Sequence, residues 1–188
     1  LDLGGGKVLA VSGNGCGDKK PSGRNFTRGR GKRVNAECLL PPSVVSSVLK
    51  STPARMSSLC SRKCHVGSAV AGSLGGFNAH TANVVAAAFV ATGQDAAHVV
   101  EGSQAITVME VCEETGGLYV SLTLPCLPTA TVGGGTSLPC QSGLVKGMGV
   151  DARGLACAVA GACLGGEISL VAALAEGRLV EAHMKLNR

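Results

Sequence analysis

Aromatic side chains are nearly absent: the 188 residues hold no Trp, one Tyr and three Phe. Packing must then fall to Ala, Val, Leu, Gly and Cys, whose small size lets helices approach closely. The same scarcity counts against a single-stranded nucleic-acid binder. Such proteins stack bases on aromatic rings, and the RG-rich segment Arg28-Gly29-Arg30-Gly31-Lys32-Arg33 has only Phe26 beside it. An even complement of cysteines is also lacking. Nine, at no repeating interval, argue against a disulfide framework and for a reducing compartment. Cys60-x3-Cys64-His65 has a spacing zinc tolerates, but no second ligand pair follows at finger-like distance, and no metal site is assigned.

No long apolar run is free of polar groups. Val66–Gly93 carries Asn78, His80 and Asn83 at its middle, and Gly154–Gly177 carries Glu167. Polar groups at mid-depth are costly in lipid, so both stretches read as buried helices of a soluble protein. No signal peptide is visible at Leu1, and there is no internal repeat or internal linker. What is present is a core-forming composition, 45% hydrophobic, with 28 glycines and a net charge of +5. Much of the positive charge lies between Lys19 and Arg33. An anionic partner follows, which a phosphate-bearing small molecule satisfies as well as nucleic acid does.

Periodicity gives the elements. Lys7–Ser12 is a short apolar run that reads as a strand, and Ser12–Lys32 reads as loop. In Arg33–Leu39, Val34, Ala36 and Cys38 alternate with Arg33, Asn35 and Glu37, a half-buried strand. Pro41-Pro42 opens a helix through Val44, Val45, Val48 and Leu49, and Pro53 should break or kink it. Val66–Thr92 reads as a long buried helix, interrupted if anywhere at Gly75-Gly76; if it is helical there, Gly72 and Gly76 share a face. Ala105–Val111 and Leu118–Leu124 are strands joined by a Gly116-Gly117 turn. Ala152–His183 is mostly helical with an interruption at Gly165-Gly166. Strands and helices are mixed, with two strands in succession, so the fold class is α+β. The three strands should share one sheet against the Val66–Thr92 helix.

Five segments could carry chemistry. In Ser12-Gly13-Asn14-Gly15-Cys16-Gly17-Asp18-Lys19-Lys20-Pro21, two adjacent ammonium groups on a glycine-bearing loop can clamp a carboxylate or stabilise an oxyanion. The bland alternative is a solvated basic loop. His80 and Asn83, three apart, share a helical face, as a satisfied core pair would. Asp95 follows Gly93-Gln94 at a helix end, where an Asp is commonly a cap. Backbone N–H groups of Thr131-Val132-Gly133-Gly134-Gly135-Thr136 can hold a pyrophosphate, although the loop lacks Rossmann spacing. His183 stands near the end, in Glu181-Ala182-His183-Met184-Lys185-Leu186-Asn187-Arg188.

Taken in order, these segments resemble the class I hydroxymethylglutaryl-coenzyme A reductases. The matching blocks are LAVSGNGCGDKKP, GRGK, VGSAVAGSLGGFNAHTANVV, ATGQDAAHVVEGSQAITVME, TVGGGTSLP, GGEISLVAALAEGRLV and HMKLNR. The resemblance implies the C-terminal part of the large substrate-binding domain of such an enzyme, residues 1–188. It implies NADPH-dependent reduction of 3-hydroxy-3-methylglutaryl-CoA to mevalonate and free CoA, in isoprenoid and sterol biosynthesis. Lys19 matches the catalytic lysine, Asp95 the catalytic aspartate, and His183 the histidine that protonates the departing thiolate. Ser12, Asp18, Lys20 and Lys63 match positions that hold the hydroxymethylglutaryl portion. Lys50, His80, Asn83 and Ser169 match positions at the substrate and coenzyme A site. Val132, Gly133, Gly134, Gly135, Asn187 and Arg188 match positions near the nicotinamide dinucleotide. The resemblance further implies a homodimer or homotetramer with shared active sites and no nucleic-acid partner. It implies a cytosolic catalytic domain anchored in the endoplasmic reticulum membrane.

In that family the catalytic glutamate, the dinucleotide-binding insert and the membrane anchor lie N-terminal to the position of Leu1, so this chain is expected not to turn over alone. It also departs from the family pattern. Phe26-Thr27-Arg28 replaces Trp-Ile-Glu, Gly15 replaces an aromatic, Leu186 replaces a histidine, and Pro53 interrupts a continuous helix.

Overall fold

The computed structural model describes residues 8–179, 184 and 185. In chain order the elements are α1 (Gly23–Arg28), β1 (Arg30–Leu40), α2 (Pro42–Ser47) and α3 (Pro53–Cys60). A π-helical stretch, Ser61–Gly67, continues α3 into the short α4 (Ser68–Val70). Then come α5 (Thr81–Thr92), α6 (Val99–Gly102), β2 (Ile106–Val111), β3 (Leu118–Leu127), α7 (Pro139–Met148) and α8 (Ala152–Ala175). This is an α+β fold.

The three expected strands do share a sheet, in the order β1-β3-β2 and antiparallel throughout. β3 takes the centre because it is the most apolar of the three. Leu118, Val120, Leu122 and Leu124 are all fully buried. On β1, Val34, Ala36, Cys38 and Leu40 pack against the core while their neighbours face outward. The β2–β3 hairpin closes with Gly116 at φ +67, a left-handed position that glycine adopts without steric cost. At the start of β1 the register shifts around Gly31, also left-handed at φ +72. A bulge of this kind bends the strand and re-aims the side chains beside it. Here they are Arg30 and Lys32.

α8 covers β1 and β3, and α3 covers β2. The sheet is therefore not laid against the 66–92 segment: α5 packs on α8, α6 and α7 instead. Nor is that segment one helix. Gly72, Gly75 and Gly76 all have positive φ and break it between α4 and α5, so Gly72 and Gly76 lie in turns and not on a common helical face. Tertiary bonds hold the break open. Phe77 pairs with Ile106 as a single parallel bridge, and Asn78 Nδ2 donates to the carbonyls of Ser103 and Ala105 at 3.0 Å each.

Glu167 then starts α5. The first N–H groups of a helix lack partners within it, and His80 at the cap offers no side-chain bond. The Glu167 carboxylate reaches across from α8 and accepts from the backbone N–H groups of Ala79 at 2.8 Å and His80 at 2.5 Å. It also accepts from the Thr81 hydroxyl at 3.1 Å and the Thr107 hydroxyl at 2.9 Å. A buried charge is tolerated when hydrogen bonds replace its lost hydration, and Glu167 is fully buried.

Four further expectations are corrected. α8 runs unbroken through Gly165-Gly166. A Cβ on Gly166 would stand 3.0 Å from both His80 and Val84, so that glycine lets α5 approach α8 without bending the helix. Residues 8–12 form no strand; Val8, Leu9 and Val11 are exposed and no described strand pairs with them. Within the expected loop, Ser22 caps α1 by accepting from Asn25 N–H at 3.2 Å. Pro53 breaks nothing, because α2 has already ended at Ser47; it occupies the first turn of α3, behind the Thr52 cap. α8 is the one described helix long and apolar enough to cross a membrane, and half of its most apolar window is buried against the rest of the chain.

Candidate active site

The Ser12–Pro21 loop is shaped by a buried asparagine. Asn25 Nδ2 donates to the carbonyls of Gly17 at 2.6 Å and Lys20 at 3.0 Å. Gly17 is required there, since a Cβ would lie 2.3 Å from Asn25 Oδ1. The loop then turns through Lys19, which sits in the left-handed region at φ +55. A lysine adopts that conformation only where its surroundings enforce it.

The two adjacent ammonium groups diverge. Lys19 Nζ pairs with Asp95 Oδ2 at 2.8 Å, whereas Lys20 Nζ donates to Asn14 Oδ1 at 3.0 Å and to the Asp18 carbonyl at 3.3 Å. Lys19 and Asp95 thus meet within a single chain. Asp95 is also the expected cap: its Oδ1 accepts from Ala97 N–H at 3.0 Å, opening the 3-10 turn Ala96–His98. The bond from Lys19, with that from Ala97, holds the Asp95 carboxyl below its ordinary range. Asp95 in turn raises the Lys19 ammonium above the usual lysine value.

Behind this pair lies a group of which sequence reasoning named only Asp18 as a site residue. His98 Nδ1 donates to Glu101 Oε1 at 2.6 Å and lies 3.5 Å from Asp18 Oδ1. Arg30 pairs with Asp18 at 2.6 Å through Nη2 and approaches Glu101 at 3.5 Å through Nε, an ion-pair distance without a hydrogen bond. Asp18, His98 and Glu101 converge within 4.8 Å of one another, and the Arg30 guanidinium supplies the cation. One signal was available. Asp95, His98 and Glu101 recur at intervals of three, the spacing that stacks side chains along a 3-10 turn.

The Thr131–Thr136 loop faces the same place. A cleft of about 560 Å³ is lined on one side by Gly93, Gln94, Asp95 and His98 and on the other by Val132, Gly133, Gly134 and Gly135. Its walls are joined by backbone contact. A Cβ on Gly93 would stand 2.3 Å from the Gly135 carbonyl oxygen, and one on Gly135 would stand 2.6 Å from that of Gly93. Gln94 adds a clasp, its Oε1 accepting from Ala130 N–H at 2.7 Å and its Nε2 donating to the Ala130 carbonyl at 2.9 Å. Gly133 and Gly134 are open where their Cβ atoms would be and both have positive φ. Their bare backbone therefore leaves room for a ligand phosphate, and the loop fits a dinucleotide on that count.

The remaining expected residues are not gathered here. His80 Nδ1 accepts from Asn83 Nδ2 at 3.2 Å at the start of α5, so the two do pair, but Asn83 is exposed and the pair lies at the surface and not in the core. Ser12 accepts from Asn14 N–H at 3.3 Å on the exposed part of the loop. Lys50 follows α2 at φ +57, Lys63 lies on the π-helical stretch and Ser169 on α8, all exposed. Among the described residues no hydrogen bond or ion pair links these three to Lys19 or Asp95. His183, Leu186, Asn187 and Arg188 lie outside the described residues.

The two rival sites have other occupations. Arg30 is committed to Asp18 and Glu101, and Lys32 Nζ donates to the Thr129 carbonyl. Cys60 Sγ at 3.6 Å and His65 Nε2 at 2.7 Å both donate to the Thr107 carbonyl, so their donor atoms face an acceptor and not a common ion position. None of the nine cysteines forms a disulfide.

Comparison with known proteins agrees with the order of these parts. Residues 2–188 match the family described as hydroxymethylglutaryl-coenzyme A reductase. The chain is 49% identical over 191 aligned positions to 3-hydroxy-3-methylglutaryl-coenzyme A reductase 1 of Arabidopsis thaliana, covering 96% of this chain and 32% of that one. It is 47% identical to the reductase 1 of Hevea brasiliensis and 47% identical to that of Dictyostelium discoideum, over 96% of this chain and 33% and 35% of theirs. The chain thus spans about a third of the length of these curated relatives. With the lysine–aspartate pair, the glycine loop and the match running almost end to end, the chain belongs to the hydroxymethylglutaryl-coenzyme A reductase family.

Proposed function

We propose that this chain carries the oxyanion-stabilising part of an enzyme that reduces 3-hydroxy-3-methylglutaryl-CoA to mevalonate, with NADPH as reductant, in isoprenoid biosynthesis. The observation that supports this best is the Lys19–Asp95 pair at 2.8 Å beside the cleft of the Val132–Gly135 loop. NADPH, when bound, supplies the hydride for each of the two reductions. Each reduction builds negative charge on the former carbonyl oxygen. Lys19 is the cation for that charge, and a preorganised cation lowers the barrier because it need not reorient. Asp95 holds the ammonium in place and, by raising its proton affinity, keeps it charged. The open backbone of Gly133 and Gly134 holds the cofactor phosphates.

Between the two reductions the coenzyme A thiolate leaves, and His183 protonates it; an imidazole suits that step near neutral pH. Ser12, Asp18, Lys20, Lys50, Lys63, His80, Asn83 and Ser169 bind the acyl and coenzyme A portions. Asn187 and Arg188 are assigned to binding of the dinucleotide. The working enzyme is an oligomer with shared sites, its catalytic domain in the cytosol and its anchor in the endoplasmic reticulum membrane. A catalytic glutamate comes from a segment outside these 188 residues.

Two variants in a reductase of full family length bearing this segment test the reading. Lys19→Ala should lower reduction of both the thioester and free mevaldehyde, on the order of 100-fold or more. His183→Gln should cripple thioester reduction and spare mevaldehyde, which has no thiolate to release. Steady-state NADPH oxidation on both substrates reads the result. Full activity in Lys19→Ala would sink the oxyanion role. Equal losses on both substrates in His183→Gln would sink the leaving-group role.

A further inference from the structure

Beneath the Lys19–Asp95 pair lies a carboxylate to which the proposed reduction assigns no role. Glu101, on α6, is fully buried. A buried carboxylate persists only where charge partners and hydrogen bonds offset its desolvation. Glu101 has both, and they converge on one oxygen. Oε1 accepts from His98 Nδ1 at 2.6 Å and from the Lys19 backbone N–H at 3.3 Å, and faces Arg30 Nε at 3.5 Å. Its second oxygen, Oε2, is buried without a hydrogen-bond partner among the described residues. Unsatisfied buried polar atoms are rare in folded proteins and call for a reason.

The contact to Lys19 supplies one. Lys19 is held at φ +55, a conformation that costs a side-chain-bearing residue free energy. The direction of the Cα–Cβ bond, and so the reach of the ammonium, is set by that backbone. Release of the N–H would let Lys19 relax to an ordinary conformation and swing Nζ from its place 2.8 Å from Asp95. The same carboxylate also orients the other member of the pair indirectly. His98, anchored on Glu101 through Nδ1, presents Nε2 3.8 Å from Asp95 Oδ2.

We propose that Glu101 is a positioning residue for the reduction: from beneath the site it fixes the Lys19 backbone and, through His98, the Asp95 carboxylate, with Arg30 as its counter-charge. This inference rests on the reductase reading for its catalytic consequence, but its geometric claim stands apart from turnover.

The test uses Glu101→Ala and Glu101→Gln in a reductase of full family length bearing this segment. Glu101→Gln keeps the size and an oxygen acceptor for the Lys19 N–H. A purely structural carboxylate, once removed, would lower the yield of folded enzyme and leave kcat per folded molecule unchanged. A positioning residue predicts a kcat loss on the order of 100-fold in Glu101→Ala, since displacement of a catalytic group by about 1 Å costs that much. The loss should appear with both the thioester and mevaldehyde, with KM little changed, and Glu101→Gln should recover a large part of it. Unchanged kcat in folded Glu101→Ala, or a loss confined to KM or to the thioester, would overturn the proposal. A second measurement is independent of turnover. In nitrogen NMR titration the Lys19 amine should fall further toward the ordinary lysine pKa in Glu101→Ala than in Glu101→Gln, because both lose the Glu101 charge that raises it and only the first opens the ion pair. An amine that falls no further in Glu101→Ala than in Glu101→Gln would overturn the geometric claim. If the wild-type enzyme reduces neither substrate, the reductase reading fails, and the Lys19 signal still decides whether Glu101 positions it.

Discussion

At the scale of single residues, the Lys19–Asp95 pair is the feature with the clearest pH signature. Asp95 is depressed by its bond from Lys19, so the stability it contributes is present above the ordinary carboxylate pKa of about 3.9 and fades as pH falls through its lower folded value. Lys19 is raised by Asp95. Its contribution is present below the ordinary lysine pKa of about 10.4 and fades as pH rises through its higher folded value. The pair therefore stays charged across the whole neutral range, and neither partner should produce a pH limb between 5 and 9. Both side chains are close to half exposed, 44% and 46%, so the pair's value lies in placement and not in stability. Asp95→Asn should return the Lys19 amine toward its ordinary pKa with little change in thermal midpoint. Nitrogen NMR titration against a melting curve checks both halves.

At the scale of elements, close backbone approaches join the parts of the site. Gly93 ends α5 in the left-handed region at φ +69 and touches Gly135. Gly93→Ala puts a Cβ 2.3 Å from the Gly135 carbonyl oxygen, and that oxygen is backbone, so it cannot swing aside. The expected result is a loss of about 1–3 kcal/mol together with weaker binding of the proposed cofactor, NADPH, read by urea unfolding and by cofactor titration. A second joint is Glu167, whose carboxylate ties the start of α5 and Thr107 of β2 to α8. Glu167→Gln removes the charge and turns one acceptor into a donor facing other donors. Unfolding should show a cost of roughly 3 kcal/mol. Unchanged stability would mean that the four bonds are not formed in solution.

At the scale of the whole molecule, apolar side chains remain on the surface. Val66, Val70, Val90, Val132 and Leu138 are each more than half exposed. Apolar side chains exposed on one chain are available to be covered when partners associate, in keeping with the oligomer proposed for the working enzyme. Light scattering on a reductase of full family length should therefore give a dimer or larger; a stable monomer would count against shared sites. The 188 residues span about a third of their relatives' length. By themselves they are expected to show no substrate-dependent NADPH oxidation, because the proposed mechanism needs a glutamate from outside them. Turnover by this chain alone would mean that the essential residues are misplaced.

Local pattern determined much of this protein. Alternation of apolar and polar residues marked all three strands of the sheet, because a half-buried strand writes its two faces into a period of two. Gly116-Gly117 marked the hairpin, and the order of the glycine, lysine and aspartate motifs carried the family. The tertiary structure alone decided what long-range contacts control. Val66–Thr92 has a helix's composition, yet the Phe77 bridge, Asn78 and the Glu167 carboxylate divide it, and those partners lie up to 88 residues away. Gly165-Gly166 looks like a break in the sequence, yet the helix runs through it and Gly166 serves as the notch against which α5 rests, since a glycine tolerates either use. Glu101 drew no reading of its own from the sequence, and Arg30 read as one charge in a basic run. Folding puts them beneath Lys19, where burial and distance, which no local period encodes, give a surface-type residue its place in the site.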